Sequence, residues 1–382
     1  MLTGFGVVML YSTTASAYGE KMLKLQLTWI AFGLVLAVGL YLFDYRKLVD
    51  HGRWLLLAVA APLAYLATLH FLHKFEIAPG LVSHAPFVKG AIKGAFRWLS
   101  IGGRTVQPSE FAKVAIIVFM AGYYGRNPRY AESFKLGLFK PMLAVGAVMF
   151  LVLLGGSLSV TVITGGMVVA MLFVAGIRLR YFVLIGVLGV VVVVTALKVS
   201  PERMERVVSF QDPEAYGQTS GYQLWSSWLA LGSGGWDGVG FNQSRMKQAY
   251  LPEAQTDFIL AIVGEELGYR AIVAVVVVYL ILITSAFMIG IRAADRTGML
   301  MAFGIGAVIG LQAFVNLGVV IGFLPTTGVT APLISYGGSS MLVTWITIGL
   351  LANIARITER EQAELLGNPN HQPEPLLAAQ TV

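Results

Sequence analysis

Hydrophobic positions along this chain form long runs separated by short polar segments. A transmembrane helix needs roughly 20 predominantly apolar residues, and runs close to that length recur from one end of the chain to the other. The pattern predicts an all-α, polytopic membrane protein of about ten transmembrane helices, with a large extracytoplasmic loop between helices 7 and 8. The runs cover residues 2–18, 25–43, 54–72, 109–124, 141–154, 158–177, 181–197, 258–291, 299–323 and 340–354.

Lysine and arginine residues fall mainly in the loops at alternate ends of these runs. These basic loops therefore share one face of the membrane, which is the cytoplasmic face by the positive-inside rule. Both termini are then cytoplasmic, and loops 73–107 and 198–257 lie on the outer side of the membrane. Lys21 and Lys24 depart from the pattern. We therefore predict one transmembrane domain over residues 1–360, and a polar, disordered tail at 361–382. The basic loop residues are Arg46, Lys47, Arg53, Arg126, Arg129, Lys135, Lys140, Arg178, Arg180, Arg292, Arg296, Arg356 and Arg360.

Composition narrows the class of protein further. The chain is 57% hydrophobic and contains no cysteine, so disulfides, thiolate catalysis and cysteine metal sites are excluded. Its net charge of +7 follows from membrane topology, because the basic residues lie in short loops. Nucleic acid is therefore not an expected partner.

Acidic residues concentrate between 231 and 268, in a chain that is only 12% charged. Pro252 suits the first turn of a helix, so we expect a helix from Glu253 that carries Glu253 and Asp257 on one face. An ordinary aspartate is ionised at neutral pH, which suits a general base that accepts a proton from a hydroxyl group. The alternative is an acidic helix start that complements its own dipole.

A second candidate segment starts the fourth apolar run. Pro108 indicates a helix start, and Lys113 lies inside the run, three residues after Glu110. An intramembrane lysine must pair or line a wet cavity. Lys113 either forms a structural ion pair with Glu110 or contributes, together with Arg97 and Arg104, to a cationic wall that binds an anionic substrate.

Residues 325–340 interrupt a helix pair with irregular, proline- and glycine-rich sequence. Such backbone occurs at membrane depth only where it is buried or lines a cavity, and Gln312 and Asn316 could satisfy its freed backbone groups. Residues 221–229 predict a helix with Tyr222, Trp225, Trp228 and Leu229 on one face, lying at the membrane interface or packed beneath the loop. The glycines from 232 to 240 predict a non-helical segment.

Together these segments resemble the SEDS family (shape, elongation, division and sporulation), which includes FtsW, RodA and SpoVE, and resemble its division branch most. The shared pieces are VMLYS at 8–12, DYR at 44–46, GAFRWL at 94–99, QPSEFAK at 107–113, GYQ at 221–223, GGW at 234–236, LPEAQTDF at 251–258, GEELG at 264–268 and PLISYGGSS at 332–340.

The resemblance implies a peptidoglycan glycosyltransferase of the cytoplasmic (inner) membrane that polymerises lipid II beside a class B penicillin-binding protein and other divisome or elongasome proteins. It implies Asp257 as the catalytic acid-base residue, and substrate contacts from Arg97, Glu110, Lys113, Glu253, Ser335 and Ser339. No cofactor is required by the sequence, although a divalent cation, Mg²⁺ or Mn²⁺, would suit a diphosphate leaving group.

The chain departs from the family pattern at two places. Gln255 replaces the usual histidine, and Gly155-Gly156-Ser157 replaces a usual acidic segment. Two other classes stay open: a lipid-precursor flippase or transporter, which broken helices with intramembrane charges also fit, and a non-catalytic scaffold for division proteins, in which Asp257 would be dispensable.

Overall fold

The computed structural model describes residues 1–14, 20–77, 80, 82, 84–88, 90, 95–248 and 250–366. Helices dominate this part of the chain. They are α1 (Leu2–Thr14), α2 (Glu20–Leu42), α3 (Tyr45–Asp50), α4 (Gly52–Lys74), α5 (Pro108–Arg126), α6 (Lys140–Leu154), α7 (Leu158–Val174), α8 (Arg180–Lys198), α9 (Pro201–Gln211), α10 (Tyr222–Gly234), α11 (Ile259–Arg292), α12 (Arg296–Val320) and α13 (Gly338–Leu366).

Seven helices in the described residues are long and apolar enough to cross a membrane. They are α2, α4, α8, α11, α12, α13 and the stretch Phe134–Leu154, in which a π-helical turn leads into α6. The helices α1 and α7 are apolar but shorter, and α5 carries the Glu110–Lys113 pair. The polytopic helical architecture is therefore confirmed, while the count of ten spans stays a prediction.

The helix α12 lies at the centre of the bundle, packed against α5, α7 and α11, and α13 pairs with α2. Most of α5 is buried as well. Small residues permit the close pairs: a β-carbon at Gly349 of α13 would collide with the backbone of Ala37 in α2. In contrast, the apolar helix α8 has almost its whole surface exposed, as expected for a helix that faces lipid.

The basic loops meet at one end of the bundle, as the charge pattern predicts. Arg46 bonds Asp295 at 2.8 Å and Glu361 at 2.6 Å, and Arg126 pairs with Asp50. A guanidinium nitrogen of Arg296 donates to the carbonyl of Ala175 at 2.8 Å. These contacts join loops that are far apart in sequence, so the basic residues share one face of the protein.

The opposite end holds most of the irregular backbone. Within loop 73–107 the strands β1 (Leu99–Ile101) and β2 (Arg104–Val106) form a small antiparallel hairpin, which the all-α prediction did not include. Its turn is Gly102-Gly103, with φ of 56° and 76°, the left-handed conformation that a tight two-residue hairpin requires. β2 leads directly into Gln107 and α5.

Two other predictions about element boundaries need correction. The helix predicted from Glu253 begins only at Ile259, and Glu253 itself has a positive φ of 60°. The last helix continues to Leu366, so the tail predicted as disordered from 361 is helical over 361–366. Its remainder, 367–382, lies outside the described residues.

Candidate functional site

A cavity of about 1920 Å³ opens at the irregular end of the bundle. Pockets for drug-sized ligands are roughly 300–1,000 Å³, so this one has room for a larger molecule. Its walls combine apolar residues from α4, α6 and α8 with polar loop segments. The charged and imidazole residues in its lining are His70, His73, Lys74, Glu76, Arg97, Glu202, Arg203 and Arg206.

Arg97 and Arg203 meet at Gly156 in this cavity. A β-carbon at Gly156 would lie 3.4 Å from Nε and Nη2 of Arg97, and Arg203 donates to the Gly156 carbonyl at 3.2 Å. Burial, together with the charges of Arg203 and Arg206, lowers the pKa of Arg97 below its ordinary value. Arginine stays protonated nonetheless, so the cavity wall carries concentrated positive charge. Of the three residues that replace the acidic segment expected from the family resemblance, Gly156 and Ser157 line this cavity beside the arginines.

Arg97 also has unused hydrogen-bonding capacity. Its Nε atom is buried and has no hydrogen-bond partner among the described residues. A buried charged donor without a partner is costly. Arg97 lines the cavity, and its predicted role in binding an anionic substrate stays a prediction.

Asp257 lies beside the same cavity. Its Oδ2 would be 3.4 Å from a β-carbon on Gly328, and Gly328 lines the cavity together with Arg97 and Arg203. The Asp257 side chain is partly exposed. Asp257 is not itself one of the lining residues, so the structure places the predicted base next to the cavity that Arg97 lines.

The segment that carries Asp257 is held through its backbone. Three consecutive carbonyls accept hydrogen bonds from other segments: Gln255 from the Tyr336 N–H at 2.9 Å, Thr256 from the Ser335 hydroxyl at 2.5 Å, and Asp257 from the Asn316 amide at 2.7 Å. In a helix these carbonyls would bond residues four positions further on. Their capture by distant groups explains why the predicted helix from Glu253 does not form.

Glu253 stands at the start of this turn. Its carbonyl accepts the N–H groups of Thr256 and Phe258, and its carboxylate accepts the Thr256 hydroxyl at 2.9 Å. The side chain is partly buried. Glu253 therefore shapes the turn, and its predicted contact with substrate stays a prediction.

Glu110 and Lys113 form an ion pair of 2.9 Å with 8% and 3% of their side chains exposed. Neither residue is part of the cavity lining. The structural pair that the sequence left open is thus present, and a role for these residues in substrate binding stays a prediction. Arg104, expected beside them, lies over the Trp29 ring at 5.6 Å.

The two predicted serines of the 332–340 segment, Ser335 and Ser339, make contacts that order the site. Besides its bond to Thr256, the Ser335 hydroxyl accepts the Ala331 N–H at 2.8 Å. The Ser339 hydroxyl accepts the Gln107 N–H at 2.9 Å, which joins α13 to the start of α5. Both side chains are buried, so their visible role is to fix backbone, and their binding role stays a prediction.

Two glutamates on α11 anchor the loop that precedes Asp257. Glu266 accepts the Ser12 hydroxyl at 2.7 Å and the Lys247 ammonium at 2.8 Å. Glu265 accepts the Ser244 hydroxyl and the Arg245 N–H. The backbone of α11 breaks at Gly268, with φ of 73°, and the carbonyls of Glu265 and Glu266 accept Val239 and Gly240 N–H groups instead. This buried network holds the loop before Asp257 against α1 and α11.

The glycine-rich segment is non-helical from 235 to 240, as predicted, but α10 continues through Gly234. A β-carbon at Gly234 would collide with the Gly264 carbonyl of α11. Here the glycines allow two helices to approach closely. The α10 face with Ser226 and Ser227 is buried, and Ser227 donates to the Val320 carbonyl at 2.9 Å, while Leu229 is exposed. The helix is packed against the bundle and also presents an apolar residue outward.

Sequence reasoning missed Arg203 and Arg206. Both lie on α9, which begins at Pro201. The signal was present, since residues three apart on a helix share one face and proline favours a helix start. The prediction of one long loop over 198–257 does not include this helix.

The chain matches the cell cycle protein family of FtsW, RodA and SpoVE over residues 1–360. It is 35% identical over 362 residues to the "Probable peptidoglycan glycosyltransferase FtsW" of Geobacter sp. (strain M18), covering 93% of this chain and 94% of that one. It is 41% identical over 279 residues to the protein of the same name from Legionella pneumophila, covering 72% of this chain and 70% of the relative.

Solved structures share the fold. A chain from "Structural coordination of polymerization and crosslinking by a peptidoglycan synthase complex" is 27% identical with a TM-score of 0.72, over 93% of this chain and 96% of that one. The rod shape determining protein RodA of Thermus thermophilus is 24% identical with a TM-score of 0.66, over 93% of each chain.

Proposed function

This chain belongs to the cell cycle protein family of FtsW, RodA and SpoVE, and we propose that it is a peptidoglycan glycosyltransferase that polymerises lipid II. One observation supports the assignment of the site: the Asp257 carboxylate lies next to the backbone of Gly328, and Gly328 lines the cavity together with Arg97 and Arg203. A base and a group of cations at one cavity are what transfer of a sugar from a diphosphate requires.

The reaction joins two lipid-linked sugars. A hydroxyl of the acceptor attacks the anomeric carbon of the donor, a new glycosidic bond forms, and the bond from that carbon to the diphosphate breaks. Asp257 accepts the hydroxyl proton, which contributes about 10²–10⁴-fold to such reactions. Arg97, Arg203 and Arg206 stabilise the negative charge of the departing diphosphate. Direct displacement in one step inverts the configuration of the anomeric carbon, as in inverting glycosidases.

The proposal includes a divalent cation that is bound mainly by the substrate diphosphate. In the described residues, no three histidine or carboxylate side chains gather into a group that could hold a metal ion. Mg²⁺ is commonly bound by one or two carboxylates together with substrate phosphates, so the diphosphate itself would bring most of the ligands. Mg²⁺ or Mn²⁺ would neutralise the leaving group. Titration with EDTA and each metal during lipid II polymerisation tests this.

The proposed setting is the cytoplasmic membrane, with both termini in the cytoplasm and the cavity on the outer face. The charge pattern supports this, because the basic loops lie together at the end away from the cavity. The proposed partner is a class B penicillin-binding protein, which would crosslink the new glycan strand. A solved chain of similar fold comes from a peptidoglycan synthase complex, and this supports the proposal.

The decisive experiment compares Asp257→Asn with Asp237→Asn. Asp237 lies in the same outer loop, exposed and paired with Arg270, so its substitution controls for loss of an acidic group. Purified variants are incubated with lipid II in detergent, with the partner present, and glycan chains are measured on gels. We expect no polymer from Asp257→Asn and normal polymer from Asp237→Asn. Full activity of Asp257→Asn would remove this residue from the mechanism.

The same assay separates the two other classes of function. In detergent there is no bilayer across which a flippase could move its substrate, so polymer formed there supports the glycosyltransferase. A scaffold would tolerate Asp257→Asn in cells, provided that the variant still binds its partners. Complementation by Asp257→Asn in a depletion strain would favour that alternative.

A further inference from the structure

The side chain of Asn316 on α12 bridges the two backbone segments that flank the Asp257 carboxylate. Its Nδ2 donates to the carbonyl of Asp257 at 2.7 Å and to the carbonyl of Val329 at 2.7 Å. Val329 follows Gly328, whose backbone lies next to the Asp257 side chain. One amide therefore fixes both the residue that carries the carboxylate and the loop beside it.

The chemistry of this contact leaves little freedom. Both partners of Nδ2 are carbonyl oxygens, which only accept hydrogen bonds, and an amide nitrogen has two N–H groups to give. The side chain is 1% exposed, and its Oδ1 is buried without a partner among the described residues. Asn316 therefore donates both hydrogen bonds from Nδ2 while its Oδ1 stays without a donor. This indicates that the two N–H groups are what the position requires.

Asn316 is not exposed to the cavity and is not one of its lining residues. It therefore acts on the reaction only through the segments that it holds. The Thr256 carbonyl, bonded by Ser335, and the Gln255 carbonyl, bonded by Tyr336, complete the support of the same turn. Asn316 supplies the bond to the catalytic residue itself.

We propose that Asn316 is a positioning residue that sets the distance and direction of the Asp257 carboxylate toward the acceptor hydroxyl. The inference rests on the proposed role of Asp257 as general base. A catalytic group misplaced by about 1 Å can cost about 10²-fold in rate. Substrate binding should change little, because Arg97 and Arg203 are held by other segments.

The test uses Asn316→Leu and Asn316→Asp in the full-length protein with its partner. We expect each to lower kcat for lipid II polymerisation by about 10²-fold with little change in KM. An ionised carboxylate has no hydrogen to donate, whereas a protonated one has. The activity of Asn316→Asp relative to the wild type should therefore rise as the pH falls, and that of Asn316→Leu should not.

Gln312→Leu is the matched control. Gln312 is a buried amide on α12, about one turn before Asn316, and it makes no hydrogen bond to Asp257 or Val329 in the part of the chain that the structure describes. Its variant should retain kcat. Thermal unfolding in detergent shows whether each variant is folded. If Asn316→Leu is unfolded, the test rests on how the activity of Asn316→Asp, relative to the wild type, changes with pH.

Three outcomes would overturn the inference. They are a normal kcat in both Asn316 variants, a loss of kcat in Gln312→Leu equal to that in the Asn316 variants, or an activity of Asn316→Asp relative to the wild type that does not vary with pH. These are distinct from failure of the proposed function. If Asp257→Asn is inactive while Asn316→Asp is fully active, Asp257 is the base and Asn316 does not position it. If Asp257→Asn is active, the proposed role of Asp257 as general base fails, and with it the premise of this inference.

Discussion

Ion pairs at the two ends of the helix bundle differ in how far their side chains are exposed. At the basic end, Arg46 and Asp295 keep 38% and 31% of their side chains exposed although they are paired. At the cavity end, Lys247 and Glu266 are 3% and 0% exposed. Both ends contain ion pairs of similar length, so distance alone does not distinguish them.

The difference follows from where the backbone leaves its helices. Loops at the basic end are short and their polar groups reach the surface. At the cavity end, the breaks at Gly268 and before Gly338 leave carbonyl and N–H groups inside the protein, where each needs a partner. Buried carboxylates, amides and hydroxyls supply those partners. We therefore expect substitutions in the buried ion pairs of the cavity end to be costly, and substitutions in exposed pairs to be tolerated at either end.

The largest effect on stability should come from Glu266→Gln. The change keeps the side-chain shape but leaves the buried Lys247 ammonium without its charge partner, which typically costs about 3–5 kcal/mol. The free energy of unfolding in mixed micelles measures it. Arg270→Gln on the same helix breaks an exposed pair with Asp237 and should cost less than about 1 kcal/mol. Similar losses for the two variants would contradict the contrast between buried and exposed pairs.

A smaller effect, on activity, is expected from Arg203→Gln. Hydrogen bonds to charged groups contribute about 1.5–3 kcal/mol, and about 1.4 kcal/mol corresponds to a tenfold change. The kcat/KM for lipid II should therefore fall by about 10–100-fold. Arg245→Gln, an exposed arginine of the same loop that does not line the cavity, is the control. Unchanged kcat/KM in Arg203→Gln would exclude Arg203 from binding the diphosphate.

The smallest effect is expected at the basic end. Arg46→Gln removes two partly exposed ion pairs, each worth about 0–1 kcal/mol. Polymerisation in detergent should be unchanged, and thermal unfolding should shift only slightly. A loss comparable to that of Glu266→Gln would show that the two ends do not differ in the way their charges are held.

Much of the architecture was predictable because hydrophobic periodicity is a local property. Most of the apolar runs correspond to observed helices, and the alternation of basic loops correctly placed Arg46, Arg126 and Arg296 at one end. The interruption at 325–340 was also recognised, as was the use of Asn316 to satisfy freed backbone groups. The prediction of a helix from Glu253 was wrong. Pro252 suits the start of a helix as well as it suits a turn, and no nearby residue excludes a helix there.

The chain by itself determined a membrane-spanning helical bundle, the segregation of its charges, and Asp257 as the candidate base. Only the tertiary structure decided how Asp257 is held and which cations line the cavity beside it. Its carbonyl bonds Asn316, 59 residues away, and the preceding carbonyl bonds Ser335, 79 residues away. Such bonds form between groups that folding brings together, so no local pattern encodes them, and they override the helix that the local pattern favours.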